Sequence, residues 1–459
     1  RLRPVKQTVI TQQGVSFTWS VNGASGFNAY AQPVNVTRAS SLGYSKTEQM
    51  VYENNTARWV IGHIKSIRDT GSGLYPEQTT YDPTSVLPTH RYAFGALTER
   101  RTYHADGRPW QVYDGSNVKK TTLTSYKRGI PRTVTYHDGT GETAVVNDWG
   151  EITAITSPMG HTTQYAYDPM GRLKQITYPA GDSVAWADTF IDIEPVPAVE
   201  YGLPAGHWRQ TIRTGNARTI TYYDGLWRPV LTRTFDASDE ANTRRMVQRR
   251  FDHANRDTLV SFPQRTILAY NSGVNSTTTQ YDALGRVTQT QSNSELGLLT
   301  TTTAYAASFR TQTTDARGYV TTTRYQAFDQ PATDAPTQID HPEGITTTIS
   351  RDGFGKATAI TRSGTYAGSP VSATRRYVYD TQQRLCKRID PETAATVMDY
   401  DASHNLAWSA TGLNLQSTTD CQRGSVPANA KSTRSYDGRN RLTAVNHPGV
   451  AAGVSYSYF

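Results

Sequence analysis

The chain has 459 residues, a formal net charge of +8 and only two cysteines. No apolar run approaches the roughly 20 residues of a membrane-spanning helix, so no membrane span is expected. The basic residues are spread along the chain without a polybasic block, which argues against a nucleic-acid partner. Cys386 and Cys421 offer at most one optional bridge and no disulfide framework. The first residue is Arg1, with neither Met nor a leader, which favours a processed or excised piece.

The composition favours strands. The chain has 28 tyrosines, 8 tryptophans and many threonines, but only 36% of its residues are hydrophobic. Aromatic and β-branched residues prefer sheets, whereas a low apolar content is poorly suited to a thick dry core. Aromatic residues at 10% also argue against disorder. An all-β fold built as an extended sheet is therefore predicted.

In chain order, residues 1–100 give the weakest pattern. They contain Tyr81-Asp82-Pro83 and a Trp59-Val60-Ile61-Gly62 segment. We interpret this region as degenerate repeats or an N-terminal plug-like segment, and residues 101–459 as a repeat array. The array opens with a degenerate copy at residues 103–108.

The repeat is Tyr-Asp-x-x-Gly-Arg followed by an apolar residue. The clean copies are residues 167–173 and 281–287, and looser copies keep the frame near Asp224, Asp252 and Asp352 and again further on. The residues assigned to this structural motif are Tyr167, Asp168, Gly171, Arg172, Tyr223, Asp224, Arg228, Tyr281, Asp282, Gly285, Arg286, Tyr379, Asp380, Arg384, Tyr400, Asp401, Tyr436, Asp437 and Arg441.

The motif has the chemistry of a tight turn. Asp at the first position and Gly at the fourth are typical of a type I turn, and Pro169 fits its second position. Asn255 and Asn440, which replace Gly in two copies, tolerate left-handed backbone. The three remaining replacements do not, and these turns are expected to differ: Trp227, Gln383 and His404.

A second series of turns alternates with the first. Its members start at Ser157, Asp315, His341 and Asp390, and the fourth residue of each lies seven before the next Tyr position. One offset held across four separated copies predicts a regular strand of about seven residues between turns. Counting back by twos finds Thr or Tyr before five of the repeat tyrosines, which predicts Thr and Tyr ladders on one face: Tyr167, Tyr223, Tyr281, Tyr305 and Tyr325.

Two stretches interrupt the period. Residues 183–210 are rich in Pro and Trp, and residues 410–432 hold Cys421 among small polar residues. Insertions of this kind usually lie on one rim of a repeat array. We therefore expect two insertions in the array and no separate domain.

These motifs resemble the Rhs/YD-repeat family, which includes polymorphic-toxin shells, Tc-toxin cocoon subunits and teneurin barrels. The resemblance extends from about residue 100 to the end of the chain. It implies a β-ribbon that spirals into a hollow shell, or part of one, around a C-terminal toxin domain. The family's core signature, an Arg-Tyr-Tyr-Asp-Pro run followed by Asp-Pro-x-Gly, does not occur here. Self-cleavage and toxin activity are therefore not assigned to these residues.

No catalytic or metal-binding pattern stands out. The chain contains no His-Glu-x-x-His, no phosphate-binding loop and no Gly-x-Ser-x-Gly elbow, and its ten histidines show no ligand spacing. The Asp and Arg of the repeat recur in every unit, whereas an active site is needed once. We expect each Asp to cap its own turn and each Arg to pair across it. No catalytic residue, cofactor or metal is expected.

Two functions remain open at this stage. The first is a non-enzymatic shell of a secreted bacterial Rhs-type toxin used against competitor or host cells. Its partners would be the enclosed toxin domain, the remaining shell segments and secretion-apparatus proteins, as in type VI secretion. The second is a cell-surface adhesion protein that binds carbohydrate or a protein partner through its repeats. An enzyme within residues 1–100 or 183–210 is disfavoured.

Overall fold

The computed structural model describes residues 4–23, 25–181, 183–267, 269–450 and 452–458. In these ranges the chain forms one sheet of 36 strands, each hydrogen-bonded antiparallel to the strands before and after it in sequence. The all-β prediction is confirmed. No helix in the described ranges is long and apolar enough to cross a membrane.

The first eighteen strands extend to Tyr223. They are β1 Gln7–Gln12, β2 Val15–Val21, β3 Asn35–Ser40, β4 Ser45–Asn55, β5 Val60–Asp69, β6 Glu77–Tyr81, β7 Pro88–Ala93, β8 Ala96–Tyr103, β9 Pro109–Tyr113, β10 Lys119–Thr124, β11 Thr133–Tyr136, β12 Gly141–Val146, β13 Ile152–Thr156, β14 Thr162–Tyr167, β15 Leu173–Thr177, β16 Thr189–Pro195, β17 Trp208–Thr214 and β18 Ala217–Tyr223.

The remaining strands follow with one helical turn, α1 Glu240–Thr243, between the first two. They are β19 Pro229–Asp236, β20 Arg245–Phe251, β21 Asp257–Ser261, β22 Ser276–Tyr281, β23 Val287–Ser294, β24 Gly297–Ala306, β25 Arg310–Thr314, β26 Val320–Tyr325, β27 Pro336–Asp340, β28 Thr346–Arg351, β29 Ala357–Tyr366, β30 Ser369–Tyr379, β31 Leu385–Asp390, β32 Ala394–Tyr400, β33 Leu406–Leu413, β34 Ser432–Tyr436, β35 Leu442–Asn446 and β36 Val454–Ser455. Two short 3-10 turns lie at Arg423–Ser425 and Ala428–Ala430.

This strand order gives the ribbon two chemically different edges. Since every strand reverses direction, successive turns fall alternately on one edge and on the other. The turns after even-numbered strands include the Tyr-Asp turns of the predicted repeat motif, and we call their edge the YD edge; the Tyr113-Asp114 turn after β9 lies on the opposite edge. The turns after odd-numbered strands, including those at Ser157, Asp315 and His341, form the opposite edge.

Threonine pairs run across the ribbon. Thr290 of β23 lies opposite Thr279 on one side and Thr301 on the other. Thr361 and Thr374 of β29 and β30 are also opposite each other, with their hydroxyl oxygens 2.9 Å apart. Most strand residues are only half-buried. The sheet is thus a thin wall in which cross-strand pairs replace a continuous apolar core.

Residues 7–100 lie in β1 to β8 and continue the same ribbon. The stretch 183–210 contributes β16 and the start of β17, which are paired along seven residues. The stretch 410–432 includes the end of β33 and the two 3-10 turns before β34. The division into an N-terminal segment and an array with insertions stays a prediction.

The ribbon returns to itself after one winding. Opposite-edge turns within residues 13–140 contact YD-edge turns within residues 286–441, and we call this line of contacts the seam. Its hydrogen bonds join residues 273 to 326 positions apart. Gln13 Nε2 donates to the carbonyl of Ala306 at 2.8 Å, and Arg38 pairs with Asp329 at 2.6 Å. The seam therefore makes the ribbon a spiral whose neighbouring windings touch edge to edge.

A small apolar core lies at the first contacts of the seam, between the two windings. Phe17 of β2 and Phe309, in the turn before β25, are fully buried, with ring centroids 4.8 Å apart. Val15 and Ala327 complete the cluster. These residues come from two windings, so their burial depends on the spiral.

Substitution of Phe309 by Ala tests this joint. Truncation of a fully buried Phe typically costs about 3–5 kcal/mol, and here the loss falls on the contact between windings. We expect a clearly lower urea midpoint and faster proteolysis near Phe17. Phe190, which is 37% exposed on β16, is the matched control. Equal destabilisation by Phe190→Ala and Phe309→Ala would contradict the role of the seam.

Candidate functional site: the YD edge and the seam

Each YD turn is built around one carboxylate. Asp168 Oδ1 accepts hydrogen bonds from the backbone N–H of Met170 at 2.9 Å and of Arg172 at 3.0 Å. Asp168 Oδ2 accepts one from Arg172 Nε at 2.7 Å. The N–H of Gly171 donates to the carbonyl of Asp168, and the φ of Gly171 is +76°. The result is a type I turn that ends in a left-handed residue and a bulge, a common three-residue hairpin connection.

The same bonds recur along the edge. Asp224, Asp252, Asp282, Asp380 and Asp437 each accept from the backbone and from Nε of the Arg four residues later. Asn405 takes the place of Arg opposite Asp401 and donates through Nδ2 at 3.0 Å. Lys356 donates to Asp352 through its backbone only, at 2.8 Å. The motif residues predicted from the sequence therefore lie on one edge, each set within its own turn.

The expectation that three turns differ is wrong. Trp227, Gln383 and His404 have φ values of +60°, +59° and +66°, as left-handed as the Asn and Gly residues at the same position. Left-handed backbone costs a non-Gly residue about 1–2 kcal/mol, which the bonds to the Asp carboxylate help to offset. The side chains also make contacts that Gly cannot: the ring of Trp227 lies 5.0 Å from that of Trp208, and His404 Nε2 donates to the carbonyl of Leu97 at 2.8 Å.

The turns of the second series have the predicted geometry, with one exception. Gly160, Gly318 and Gly344 each donate to the carbonyl three residues earlier and have positive φ. At the Asp390 turn, the left-handed residue is Ala394, one position later than expected, and Asp390 pairs with Ala394 across the strands. This turn is therefore of a different kind from the other three.

The tyrosines connect one YD turn to the preceding one. The hydroxyl of Tyr167 donates to the carbonyl of Ile152 at 2.8 Å, and Ile152 is the first residue after the preceding YD-edge turn. The same bond is made by Tyr103, Tyr281, Tyr305, Tyr379, Tyr400, Tyr436 and Tyr458. Arg351 occupies one Tyr position and makes the equivalent bond through Nε to Pro336 at 2.8 Å.

The arginines add a second link between turns. The guanidinium of Arg256 lies 4.5 Å from the ring of Tyr281, and that of Arg286 lies 3.8 Å from the ring of Tyr305. Arg384 over Tyr400 and Arg441 over Tyr458 repeat the arrangement. A cation–π contact contributes about 0.5–1 kcal/mol at an exposed site. Each Arg therefore holds its own Asp and the following Tyr together.

The turn bonds stabilise the ionised carboxylates. Hydrogen bonds from the backbone and the side chain of Arg256 lower the pKa of Asp252 to about 2. In Asp282, burial raises the pKa of the carboxyl, but the bonds from Arg286 outweigh it and leave the pKa below its usual value. An Asp in an unfolded chain has a pKa of about 3.9. These groups therefore contribute stability above pH 4, and that stability is lost as the pH falls toward 2.

An Asp252→Asn variant tests this dependence. At neutral pH we expect it to unfold at lower urea concentration than the wild type, because the charged bond to Arg256 is gone. Below about pH 3 the difference should shrink, since the wild-type carboxyl is then being protonated. Asp334→Asn, in an exposed loop outside the YD turns, serves as the control. A difference that stays constant from pH 6 to pH 2 would contradict the assignment.

The polar part of the seam is centred on Asp114. Its carboxylate pairs with Lys120 at 2.8 Å and accepts from Ser403 at 2.7 Å and Asn440 Nδ2 at 3.3 Å. Burial raises the pKa of Asp114, but bonds from Lys120 and Ser403 outweigh it and leave the pKa well below its usual range. One carboxylate of the first winding thus holds two YD turns of the second.

A disulfide bond fastens a strap, residues 414–431, to the sheet. Cys421 is bonded to Cys386 of β31, the pairing that the sequence left open. Arg423 of the strap reaches the YD carboxylate of Asp380 at 3.0 Å. Lys387 is fully buried beneath the strap, where its Nζ donates to Gln422 at 2.6 Å, and burial lowers its pKa. The strap therefore covers a buried lysine and reinforces one YD turn.

Replacement of both cysteines by Ser should loosen this part of the wall. Closing a loop of 35 residues stabilises a protein by roughly 2–4 kcal/mol. We expect the double variant, and the wild type in dithiothreitol, to lose protection from amide exchange in β31 to β33 first. Strands β12 to β15, far from the strap in sequence, provide the internal control. Uniform loss of protection would argue against a local fastening.

The described residues hold no group of three or more His, Cys, Asp or Glu side chains that could bind a metal ion. The YD carboxylates are all engaged by their own turns. What the arrangement offers is a continuous, tightly linked edge.

The seam residues, such as Gln13, Phe94 and Asp114, were not predicted from the sequence. Each is an ordinary turn residue in the sequence, and its distant partner is seen only in the structure.

The geometry defines a class: a repeat protein whose unit is an antiparallel strand pair ending in a Tyr-Asp turn. The RHS Repeat family model matches residues 146–183, which include the turns at Asn147 and Asp168. Residues 146–183 thus carry an RHS repeat, and the resemblance predicted from the sequence is confirmed. No curated protein matches the chain.

The fold is similar to that of solved Tc toxin structures. The Tc holotoxin pore of Photorhabdus luminescens, with a mutated TccC3, matches at 11% identity and a TM-score of 0.52 over 95% of this chain and 25% of that one. The TcdB2-TccC3-TEV crystal structure matches at 12% identity and a TM-score of 0.51 over 96% of this chain and 25% of that one. The chain spans about a quarter of the length of these structures.

Proposed function

We propose that this chain forms part of the shell of a secreted bacterial Rhs-type toxin, and that the shell encloses a toxin domain for delivery to competitor or host cells. The observation that carries the proposal is the seam. A ribbon that meets itself edge to edge, through bonds such as Arg38 to Asp329 and Ser403 to Asp114, makes a closed wall. The similarity in fold to Tc toxin structures that contain TccC3 supports the same interpretation.

Two further features agree with this proposal. Disulfide bonds persist in oxidising surroundings, so the bond between Cys386 and Cys421 fits a secreted or surface-exposed protein. The repeat tyrosines donate their hydroxyls within the sheet, and several have a cation over the ring, as Arg286 has over Tyr305. Tyrosines engaged in this way are poorly placed to stack on sugars, which favours a wall over a carbohydrate-binding surface. A structural role without catalysis is part of the proposal.

Electron microscopy of the full-length parent protein tests the enclosure directly. We expect a hollow particle with density inside it. Protease protection of the enclosed toxin domain gives a second measurement, since an enclosed chain should be cut slowly. A solid particle, an open fibre or rapid cutting would overturn the proposal and direct attention to glycan binding.

Paired variants sharpen the test. Arg38→Ala with Phe309→Ala removes an ion pair and an aromatic contact of the seam. Arg317→Ala with Phe190→Ala removes the same residue types away from the seam, because the ion pair of Arg317 is with Asp315 of its own turn. If the seam keeps the wall closed, protection of the enclosed chain should fall in the first variant and persist in the second.

A further inference from the structure

The middle of the strap, residues 416–422, has few links to the sheet, and we call this segment the lid. Its backbone N–H groups donate to side chains of the lid itself, as Ser417 does to Gln422 Oε1 at 3.1 Å. In the described ranges, two links join the lid to the sheet: the disulfide bond of Cys421 and the hydrogen bond from Lys387 to Gln422. The closed position of the lid therefore depends mainly on one covalent bond.

The chain on either side of the lid is anchored without the disulfide bond. Before the lid, Leu415 packs against the apolar cluster that contains the buried Val426. After the lid, Arg423 pairs with Asp380 and with Asp399, each at 3.0 Å. The lid is thus a short loop between two fixed points, and it can lift from the sheet while both ends of the strap stay in place.

Lys387 of β31 opposes the closed position. Its side chain is fully buried, and its Nζ donates to the neutral amide of Gln422 at 2.6 Å. Burial lowers the pKa of Lys387, and the negative charge of Asp420 raises it by less. The free energy of an ammonium group buried without a paired carboxylate falls when water reaches it. Opening of the lid would return Lys387 to water.

We propose that the lid is controlled by redox state: reduction of the bond between Cys386 and Cys421 releases residues 416–422, and hydration of Lys387 then favours the open position. The reduction takes two electrons and two protons from a thiol reductant such as glutathione. The reductant is oxidised to its disulfide, and both cysteines become thiols. Cys386 is fully buried and Cys421 is half-buried, so a small thiol can reach the bond at Cys421.

The setting of this device rests on the proposed function. A wall delivered from the oxidising exterior into a reducing cytosol would carry a closed lid in the first place and an open lid in the second. The release itself is measured on the 459-residue chain alone. A lid that does not open leaves the enclosure of a toxin domain untouched, and a failed enclosure leaves the lid untouched.

Amide hydrogen exchange, followed by mass spectrometry with and without dithiothreitol, measures the release. In the wild type we expect reduction to speed exchange in residues 416–422 by about tenfold or more, because the lid opens locally. Residues 423–431 should change by less than about twofold, because Arg423 and Val426 hold them without the disulfide bond.

The Lys387→Met variant tests the group that drives opening. Met has a similar length and no charge, so the reduced lid should stay closed, with exchange within about twofold of the oxidised variant. Lys174→Met changes an exposed lysine of β15, and its lid should open on reduction as in the wild type. Circular dichroism checks that both variants keep their β-structure.

Three outcomes would overturn the proposal. The first is a wild-type lid that stays protected after reduction, a result that needs no variant to fold. The second is a reduced Lys387→Met lid that opens as fully as that of the wild type. The third is equal acceleration in residues 416–422 and 423–431, because the whole strap would then detach and no separate lid would exist.

Discussion

The structure depends on one carboxylate in each hairpin. In a YD turn the Asp accepts two backbone N–H groups and one guanidinium N–H, as Asp282 does from Leu284 and Arg286. Charged hydrogen bonds are roughly twice as strong as neutral ones, and here they hold a left-handed residue at the fourth position whatever its side chain. The tyrosine bond to the preceding turn then fixes the spacing between hairpins. Local chemistry alone therefore produces a regular ribbon.

A ribbon stabilised in this way needs little apolar core. Its strands are mostly half-buried, and the buried clusters are small: one beneath the loops around Leu203 and Ile267, one at the seam and one under the strap. Stability is then distributed among neighbouring units, as in other repeat proteins. The polar faces can border water on both sides, a property that suits a wall better than a compact domain.

Local features could be predicted from the sequence because their cause lies within a few residues. The Asp and Gly of the turns, the alternating Thr residues and the two series of turns depend on neighbouring residues alone. The seam could not be predicted, since Gln13 and Arg286 are 273 residues apart and neither is unusual for a turn. The misjudged turns at Trp227 and His404 have the same origin. Intrinsic backbone preference disfavours these residues, but the bonds to the Asp carboxylate and the distant partner of His404 outweigh it.

The positions of the YD turn also differ in how strongly the fold constrains their side chains. Its first, fourth and fifth residues are constrained by the fold, through the carboxylate, the left-handed backbone and the pairing Arg. The third residue contributes only its backbone N–H, so its side chain is free to vary. It is Phe, Ser or Arg in the turns at Asp352, Asp401 and Asp437, where it contacts the first winding, and an exposed Trp or Met in the turns at Asn147 and Asp168. Repetition thus sets the shape of the ribbon, while side chains of the third, fourth and fifth turn positions, such as Ser403, Asn440 and Arg286, make its contacts with the first winding.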